Sequence, residues 1–128
     1  MSDYEEKFGT LSRVYGEDIC DALRHAHVCV IGIGGVGSWA VESLVRSGIG
    51  EITLVDGDTI ARSNMNRQIH TLESSIGQHK VNAMQARIAD INAACRCNTI
   101  EHHIDDDNLR DIIERGYDCV IDAIDSIK

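Results

Sequence analysis

The 128-residue sequence contains no proline, no low-complexity tract and no block of five like charges. Long apolar runs are also absent: none approaches the roughly 18 residues of a membrane-spanning helix, and the N-terminus has neither the basic start nor the apolar block of a signal peptide. Hydrophobic residues make up 43% and charged residues 26%, near the averages of globular proteins. These features exclude collagen-like and disordered chains. They predict one globular domain over residues 1–128 with a cytoplasmic location.

Basic residues are outnumbered by acidic ones. Twelve Lys and Arg against twenty-one Asp and Glu give a formal net charge of −9. Sequence-independent binding of DNA or RNA depends on Lys and Arg that neutralise phosphates, so a chain this acidic is a poor candidate for it. Any polyanionic ligand must be held by a local group of cations.

The cysteines follow neither a zinc-site nor a disulfide pattern. Their number is odd, and the sequence has no C-x-x-C pair. Most of them lie in apolar segments, so we expect reduced thiols that pack in the interior rather than metal ligands or disulfides. The five are Cys20, Cys29, Cys95, Cys97 and Cys119.

The spacing of apolar residues predicts strands that alternate with helices. The clearest helix is 78–92, in which Val81, Met84, Ile88 and Ile91 form one apolar stripe. An alternating series implies parallel strands with right-handed crossovers, and hence a Rossmann-like, doubly wound α/β sheet with helices on both faces. The series stops shortly after its last strand, so we expect the sheet to continue beyond this sequence. The predicted helices are 17–26, 38–46, 78–92 and 105–115, and the predicted strands are 27–31, 51–55, 95–100 and 119–121.

Glycines and carboxylates follow the predicted strands. Parallel strands end at the same edge of a sheet, so residues directly after them are expected to face one crevice. The first strand leads into the glycine-rich loop 32–37, the second into Asp56 and Asp58, and the fourth into Asp122 and Asp125.

The glycine-rich loop has the features of a phosphate-binding turn. Gly32, Gly34, Gly35 and Gly37 lack Cβ atoms that would block close approach, and the following helix directs free N–H groups at an anion. Asp56 lies nineteen residues after Gly37, where a ribose hydroxyl would be recognised. The loop therefore predicts nucleotide binding; the alternative is a tight structural turn.

Two cations and one further acid could complete such a site. Arg67 offers a bidentate fork and Lys80 a compact point charge, so both are candidate phosphate clamps. Asp122 or Asp125 could hold Mg²⁺ beside the phosphates. Taken alone, these residues also suit a solvated loop, a helix surface and an Asx-type turn; their position beside the glycine loop favours the site.

Together these motifs resemble the E1-like activating enzymes, a family that includes the ThiF, MoeB and HesA proteins and the ubiquitin-activating enzymes. The resemblance extends from Arg13 to Ser126 and rests on five separated motifs. Segments 32–50, 66–70 and 122–126 are most similar to the tRNA threonylcarbamoyladenosine dehydratase branch. The five motifs are Gly32-x-Gly34-Gly35-x-Gly37, Asp56-x-Asp58, Asn64-x-Asn66-Arg67-Gln68, Gly77-x-x-Lys80 and Asp122-x-x-Asp125.

The resemblance implies ATP and Mg²⁺ as cofactors and a role for each motif. The four loop glycines would pack against the nucleotide, Asp56 would bind ribose, and Asp58 would support Asp56 or the loop that carries Arg67. Asp125 would hold Mg²⁺, and Arg13 would reach across a homodimer into the partner's ATP site. The phosphates would be surrounded by Asn64, Arg67 and Lys80.

The implied reaction is the activation of a carboxylate by adenylation. In the dehydratase branch the carboxylate belongs to the threonylcarbamoyl group of a tRNA adenosine, at tRNA position 37, and the activated acyl group closes into a ring with loss of water. No motif places a nucleophilic cysteine here. Three alternatives stay open: a sulfur-carrier or ubiquitin-like protein with a C-terminal Gly-Gly as substrate, an NAD-dependent oxidoreductase that uses the same glycine loop, and a non-catalytic nucleotide-binding scaffold.

Overall fold

A computed structural model describes residues 1–125, and Ser126, the last residue to which the resemblance extends, lies outside them. Its four strands form one sheet in the order β3-β2-β1-β4, with every neighbouring pair parallel. This sheet confirms the predicted α/β class. The elements are α1 (Asp3–Phe8), α2 (Ser12–Tyr15), α3 (Glu17–His25), β1 (His27–Ile31), α4 (Gly37–Arg46), β2 (Glu51–Val55), α5 (Lys80–Ile91), β3 (Arg96–Ile100), α6 (Leu109–Ile113) and β4 (Cys119–Asp122), with short 3-10 turns at Gly9–Leu11 and Arg62–Asn64.

The register of the sheet brings the strand ends together. Ile31, the last residue of β1, pairs with Val55 on one side and with Asp122 on the other. Val55 in turn pairs with Ile100, the last residue of β3. The chain runs outward from β1 to β3 and then returns to the opposite side of β1, which makes a topological switch point at the carboxyl end of β1.

The two faces of the sheet are covered unequally. Alternate residues of β1 and β2 face a larger core that α4 and α5 cover. The other face has a smaller cluster of Cys29, Ile31, Val55 and Ile112, the last from α6. The larger core contains Val28, Val30, Ile33, Val41, Val45, Ile49, Ile52, Leu54, Val81, Met84 and Ile88.

The structure differs from the prediction in two regions. The predicted helix 105–115 is reduced to Leu109–Ile113, because side chains bond the backbone in the turn before it: Asp105 accepts from the Asn108 N–H over 3.0 Å, and Asn108 Oδ1 accepts from the Asp105 N–H over 2.9 Å. The helices between residues 3 and 15 were not predicted, since they are short and mostly exposed.

The cysteines are less uniformly buried than expected. The five thiols are unpaired, and Cys29 is fully buried in β1. Cys119 is exposed on β4, so the expectation of an interior position is wrong there, because β4 lies at the edge of the described sheet. Within residues 1–125, no helix has the length and apolar character needed to cross a membrane.

Candidate active site

A cavity of about 650 Å³ opens at the carboxyl ends of the strands. The loops after all four strands contribute to its wall, as the parallel topology requires. Four predicted site residues, Arg13, Gly35, Gly37 and Asp122, do not line it. Those that do are Gly32, Gly34, Asp56, Asp58, Asn64, Arg67, Lys80 and Asp125.

The four loop glycines fall into two pairs with different surroundings. Gly32 has φ of +91°, and a Cβ there would lie 2.8 Å from the Ala123 carbonyl oxygen. A Cβ on Gly37 would overlap the Gly32 carbonyl oxygen, so these two positions are constrained by backbone packing at the start of α4. Gly34 and Gly35 instead leave space beside the side chains of the 62–70 loop. Of the four glycines, Gly32 and Gly34 therefore present backbone to the cavity.

Asp56 connects the glycine loop to the end of β2. Its Oδ2 accepts from the Ile33 N–H over 2.7 Å, and its Oδ1 accepts from the Asp58 N–H over 2.8 Å. The residue is only 9% exposed, yet it lines the cavity. A carboxylate has about four acceptor sites, so two backbone bonds leave capacity for a ligand hydroxyl.

The loop after β2 is fastened to the glycine loop and to α4. The Trp39 indole N–H donates to the Arg67 carbonyl oxygen over 2.8 Å. The His70 Nε2–H donates to the Ile33 carbonyl oxygen over 2.7 Å, and burial lowers the pKa of His70, which keeps the ring neutral. Asn64 Oδ1 closes the 3-10 turn by accepting from the Ala61 N–H. These bonds fix the backbone on which Arg67 stands.

Arg67 and Lys80 are cations without a close carboxylate. The exposed Arg67 guanidinium donates to the Ser63 carbonyl oxygen and the Asn66 side chain, and no acidic group among residues 1–125 pairs with it. The Lys80 side chain is only 8% exposed, and its Nζ lies 4.0 Å from Asp58 Oδ2. An ammonium this buried with so distant a counterion is poised for an anion in the cavity.

The acids after β4 behave differently from each other. Asp122 Oδ1 accepts from the Ile124 N–H over 3.2 Å, as in an Asx-type turn, and Asp122 does not line the cavity. Asp125 is exposed and lines it. One carboxylate oxygen beside a phosphate site fits Mg²⁺, which commonly takes one or two protein carboxylates and completes its shell with phosphate oxygens and water.

Several cavity residues have no predicted role, among them Gln68 and three residues of the loop after β3. Gln68 is 5% exposed, and its Oε1 has no hydrogen-bond partner within the described chain. His102, His103 and Ile104 come from the loop after β3. The rule applied to the other three strands would have found this loop, since β3 ends at the same edge.

A second cavity, of about 440 Å³, is lined by Lys7, Arg46 and Arg87 among others. Both of its arginines already have a carboxylate partner: Glu42, buried beneath them, accepts from the Nε of each over 2.6 Å. Burial raises the pKa of Glu42, but the hydrogen bonds from Arg87 and Arg46 outweigh this and lower the pKa overall. We therefore expect these cations to stabilise the fold rather than to bind an anionic ligand.

The ThiF family model matches residues 4–128. The tRNA threonylcarbamoyladenosine dehydratase of Haemophilus influenzae is 50% identical over 128 residues, which are 100% of this chain and 49% of that protein. The crystal structure of the E. coli tRNA N6-threonylcarbamoyladenosine dehydratase in complex with ATP has a TM-score of 0.96 and 46% identity, covering 99% of this chain and 53% of that one. The molybdopterin-synthase adenylyltransferase of Salmonella typhimurium is 35% identical over 107 residues, 84% of this chain and 43% of that protein.

These similarities cover nearly all of this sequence but only part of each relative. The chain spans about half the length of the curated relatives it matches. The match to the family model nevertheless extends over almost every residue, including all five motifs that line or surround the cavity. The chain belongs to the ThiF family.

Proposed function

We propose that residues 1–128 form an ATP-binding domain and that the complete protein uses ATP to adenylate a carboxylate. One observation carries this proposal: two cations without close counterions, Arg67 and Lys80, face the same cavity as Asp125. Such a set suits a triphosphate with its divalent cation. The E. coli relative, whose fold this chain shares, was crystallised with ATP.

The cavity offers groups for both the ribose and the phosphates of the nucleotide. Asp56 keeps acceptor sites free for ribose hydroxyls, and Gly34 allows close backbone approach. Arg67, Lys80 and Asn64 take the phosphates. An NAD-dependent oxidoreductase would also use Asp56 and the glycine loop, but hydride transfer requires no clamp for a triphosphate.

The chemistry is a displacement at the α-phosphorus. A carboxylate oxygen of the substrate attacks this phosphorus, the bond to the β-phosphate oxygen breaks, and pyrophosphate leaves with the electron pair. Negative charge gathers on the phosphorus oxygens in the transition state, where fixed cations stabilise it more than in the ground state. Arg67 and Lys80 supply that charge. Mg²⁺ held by Asp125 would neutralise phosphate oxygens and orient the leaving pyrophosphate.

The carboxylate that best fits the comparisons is the threonylcarbamoyl group of a tRNA adenosine. Relatives named for this dehydratase reach 50% and 46% identity, whereas the molybdopterin-synthase adenylyltransferase reaches 35%. After adenylation, a nucleophilic atom of the threonylcarbamoyl group attacks the activated carbonyl carbon, and the bond from this carbon to the AMP oxygen breaks. A ring closes and AMP and a proton leave, so the substrate loses the elements of water and its carboxylate oxygen departs in AMP. Activation of a sulfur-carrier protein is the second candidate. For either reaction we expect a cytoplasmic enzyme.

Arg13 supports a homodimer in which each copy completes its partner's site. Arg13 stands on α2, outside the cavity of its own chain, and makes no side-chain hydrogen bond or ion pair with residues 1–125. Val14 and Tyr15 beside it are 74% and 51% exposed, which suits a protein contact. Because this domain has an acidic net charge, we expect the tRNA-binding surface to lie mainly in the remaining half of the complete protein.

Pyrophosphate exchange with the complete protein tests the proposal. We expect exchange in the presence of tRNA that carries threonylcarbamoyladenosine, and none with a carrier protein ending in Gly-Gly. Arg67→Ala and Asp125→Ala should each abolish exchange. Arg62→Ala is the matched control, because Arg62 lies in the same loop but is paired with Glu73 outside the cavity. Exchange stimulated only by the carrier, or full activity in both site variants, would contradict the proposal.

A further inference from the structure

Asp58 stands between a histidine and the buried lysine. Its Oδ1 lies 3.1 Å from His103 Nε2, and its Oδ2 lies 4.0 Å from Lys80 Nζ. The first distance is well within the range of an ion pair, and the second is at the outer limit of that range. Asp58 thus contacts the histidine directly while it stays separated from the ammonium.

The position of His103 is fixed from two sides. A Cβ on Gly57 would come 2.6 Å from His103 Cδ2 and 2.8 Å from the His103 backbone nitrogen, so the ring lies directly against Gly57. On the other side, the Asn108 side chain donates to the His103 carbonyl oxygen over 2.8 Å. The loop after β3 is therefore a defined support for Asp58, and Gly57 is needed to admit the ring.

The arrangement matters because Asp58 competes with any anion for Lys80. The Asp58 side chain is 57% exposed and free to rotate unless something holds it. A charge-assisted bond between ammonium and carboxylate closes to about 2.7–2.9 Å. If Asp58 moved in to that distance, it would neutralise Lys80 before a phosphate arrived.

We propose that His103 is a positioning residue that restrains Asp58 and so keeps the Lys80 ammonium available to a phosphate oxygen of ATP. This inference rests on the proposed function, because it takes ATP as the ligand of the cavity. Without the restraint, the protein would exchange between an open form that binds ATP and a closed Asp58–Lys80 pair. The apparent affinity for ATP would then equal the affinity of the open form multiplied by the fraction of molecules in that form. Molecules that have bound ATP would react as before.

The test uses the complete protein and four variants: His103→Ala, His103→Gln, Asp58→Asn and the double variant His103→Ala/Asp58→Asn. ATP affinity is measured by calorimetry, and KM and kcat for ATP by tRNA-dependent pyrophosphate exchange. We expect His103→Ala to raise Kd and KM about tenfold with kcat nearly unchanged. His103→Gln places an amide N–H near the position of Nε2 and should restore affinity to within about twofold.

The double variant separates positioning from direct contact with the nucleotide. In the Asp58→Asn background no carboxylate can pair with Lys80, so adding His103→Ala should have no further effect. An equal loss in both backgrounds would show that His103 acts on the nucleotide itself and would overturn the inference, as would wild-type affinity in His103→Ala. Failure of the wild-type protein to bind ATP would instead refute the proposed function. Melting curves of His103→Ala and His103→Gln check that both variants fold.

Discussion

Replacing Lys80 with methionine should stabilise the free protein and abolish its response to ATP. The Lys80 side chain is 8% exposed, and its nearest carboxylate oxygen is 4.0 Å away on the half-exposed Asp58. A buried charge with so little compensation destabilises a fold by several kcal/mol when it is fully desolvated. Because the Lys80 amine borders the open cavity, we expect a gain of about 1 kcal/mol for the isosteric apolar side chain.

Thermal denaturation with and without ATP measures both effects. Without ATP, Lys80→Met should melt about 2–4 °C above wild type in the complete protein. With ATP at about one hundred times Kd, wild type should gain about 2.7 kcal/mol and become the more stable of the two, while the variant should not respond. Lys7→Met is the control, since Lys7 is exposed and paired with Asp3. A lower melting temperature of ATP-free Lys80→Met would refute the reasoning, because it would make Lys80 a structural residue.

Two further predictions concern the surroundings of the site. Glu42→Gln should destabilise the protein by about 2 kcal/mol at neutral pH, because the contact of Glu42 with its arginines is buried. Glu73→Gln is the control and should cost about 0.5 kcal/mol or less, because the contact of Glu73 with an arginine is exposed. The pKa of Glu42 is lowered in the folded state, so its contribution is present above the unfolded-state pKa and is lost as pH falls; melting curves of wild type and Glu42→Gln should converge in acid. Trp39→Phe removes the donor to the Arg67 carbonyl but keeps an aromatic ring, and we expect a several-fold lower kcat for pyrophosphate exchange with a smaller change in melting temperature; unchanged kinetics would show that the Arg67 loop is held without it.

Much of the site could be predicted because its position follows from topology. Strand runs such as 27–31 and 51–55 are short, apolar and followed by glycine or aspartate, and the structure has them at the same residues. Once parallel pairing is inferred, the ends of the strands must meet. Gly32, Asp56 and Asp125 could therefore be placed together without knowledge of any side-chain contact.

The contacts that tune the site could not be read from the sequence. The distances from Asp58 to Lys80 and to His103 depend on how the loops after β2 and β3 fold against each other, and no local pattern encodes a distance of this kind. The role of Trp39 is similar: helical periodicity shows that it is exposed, but its bond to the Arg67 carbonyl depends on how an irregular loop folds back on α4. Such contacts arise from tertiary packing between segments far apart in the chain.

The pairing of charges distinguishes the site more sharply than the shape of the cavity does. Away from it, and apart from Arg13, the arginines of residues 1–125 are paired with carboxylates or, in the case of Arg24, lie over the ring of Tyr4. Arg67 and Arg13 have neither kind of partner. In a chain of net charge −9, where carboxylates are abundant, cations left without them are candidates for binding an anionic ligand. If Arg13 reaches into the partner's cavity, both unpaired arginines contact one nucleotide. Arg13→Ala should then lower the rate of pyrophosphate exchange without changing the melting temperature measured in the absence of ATP.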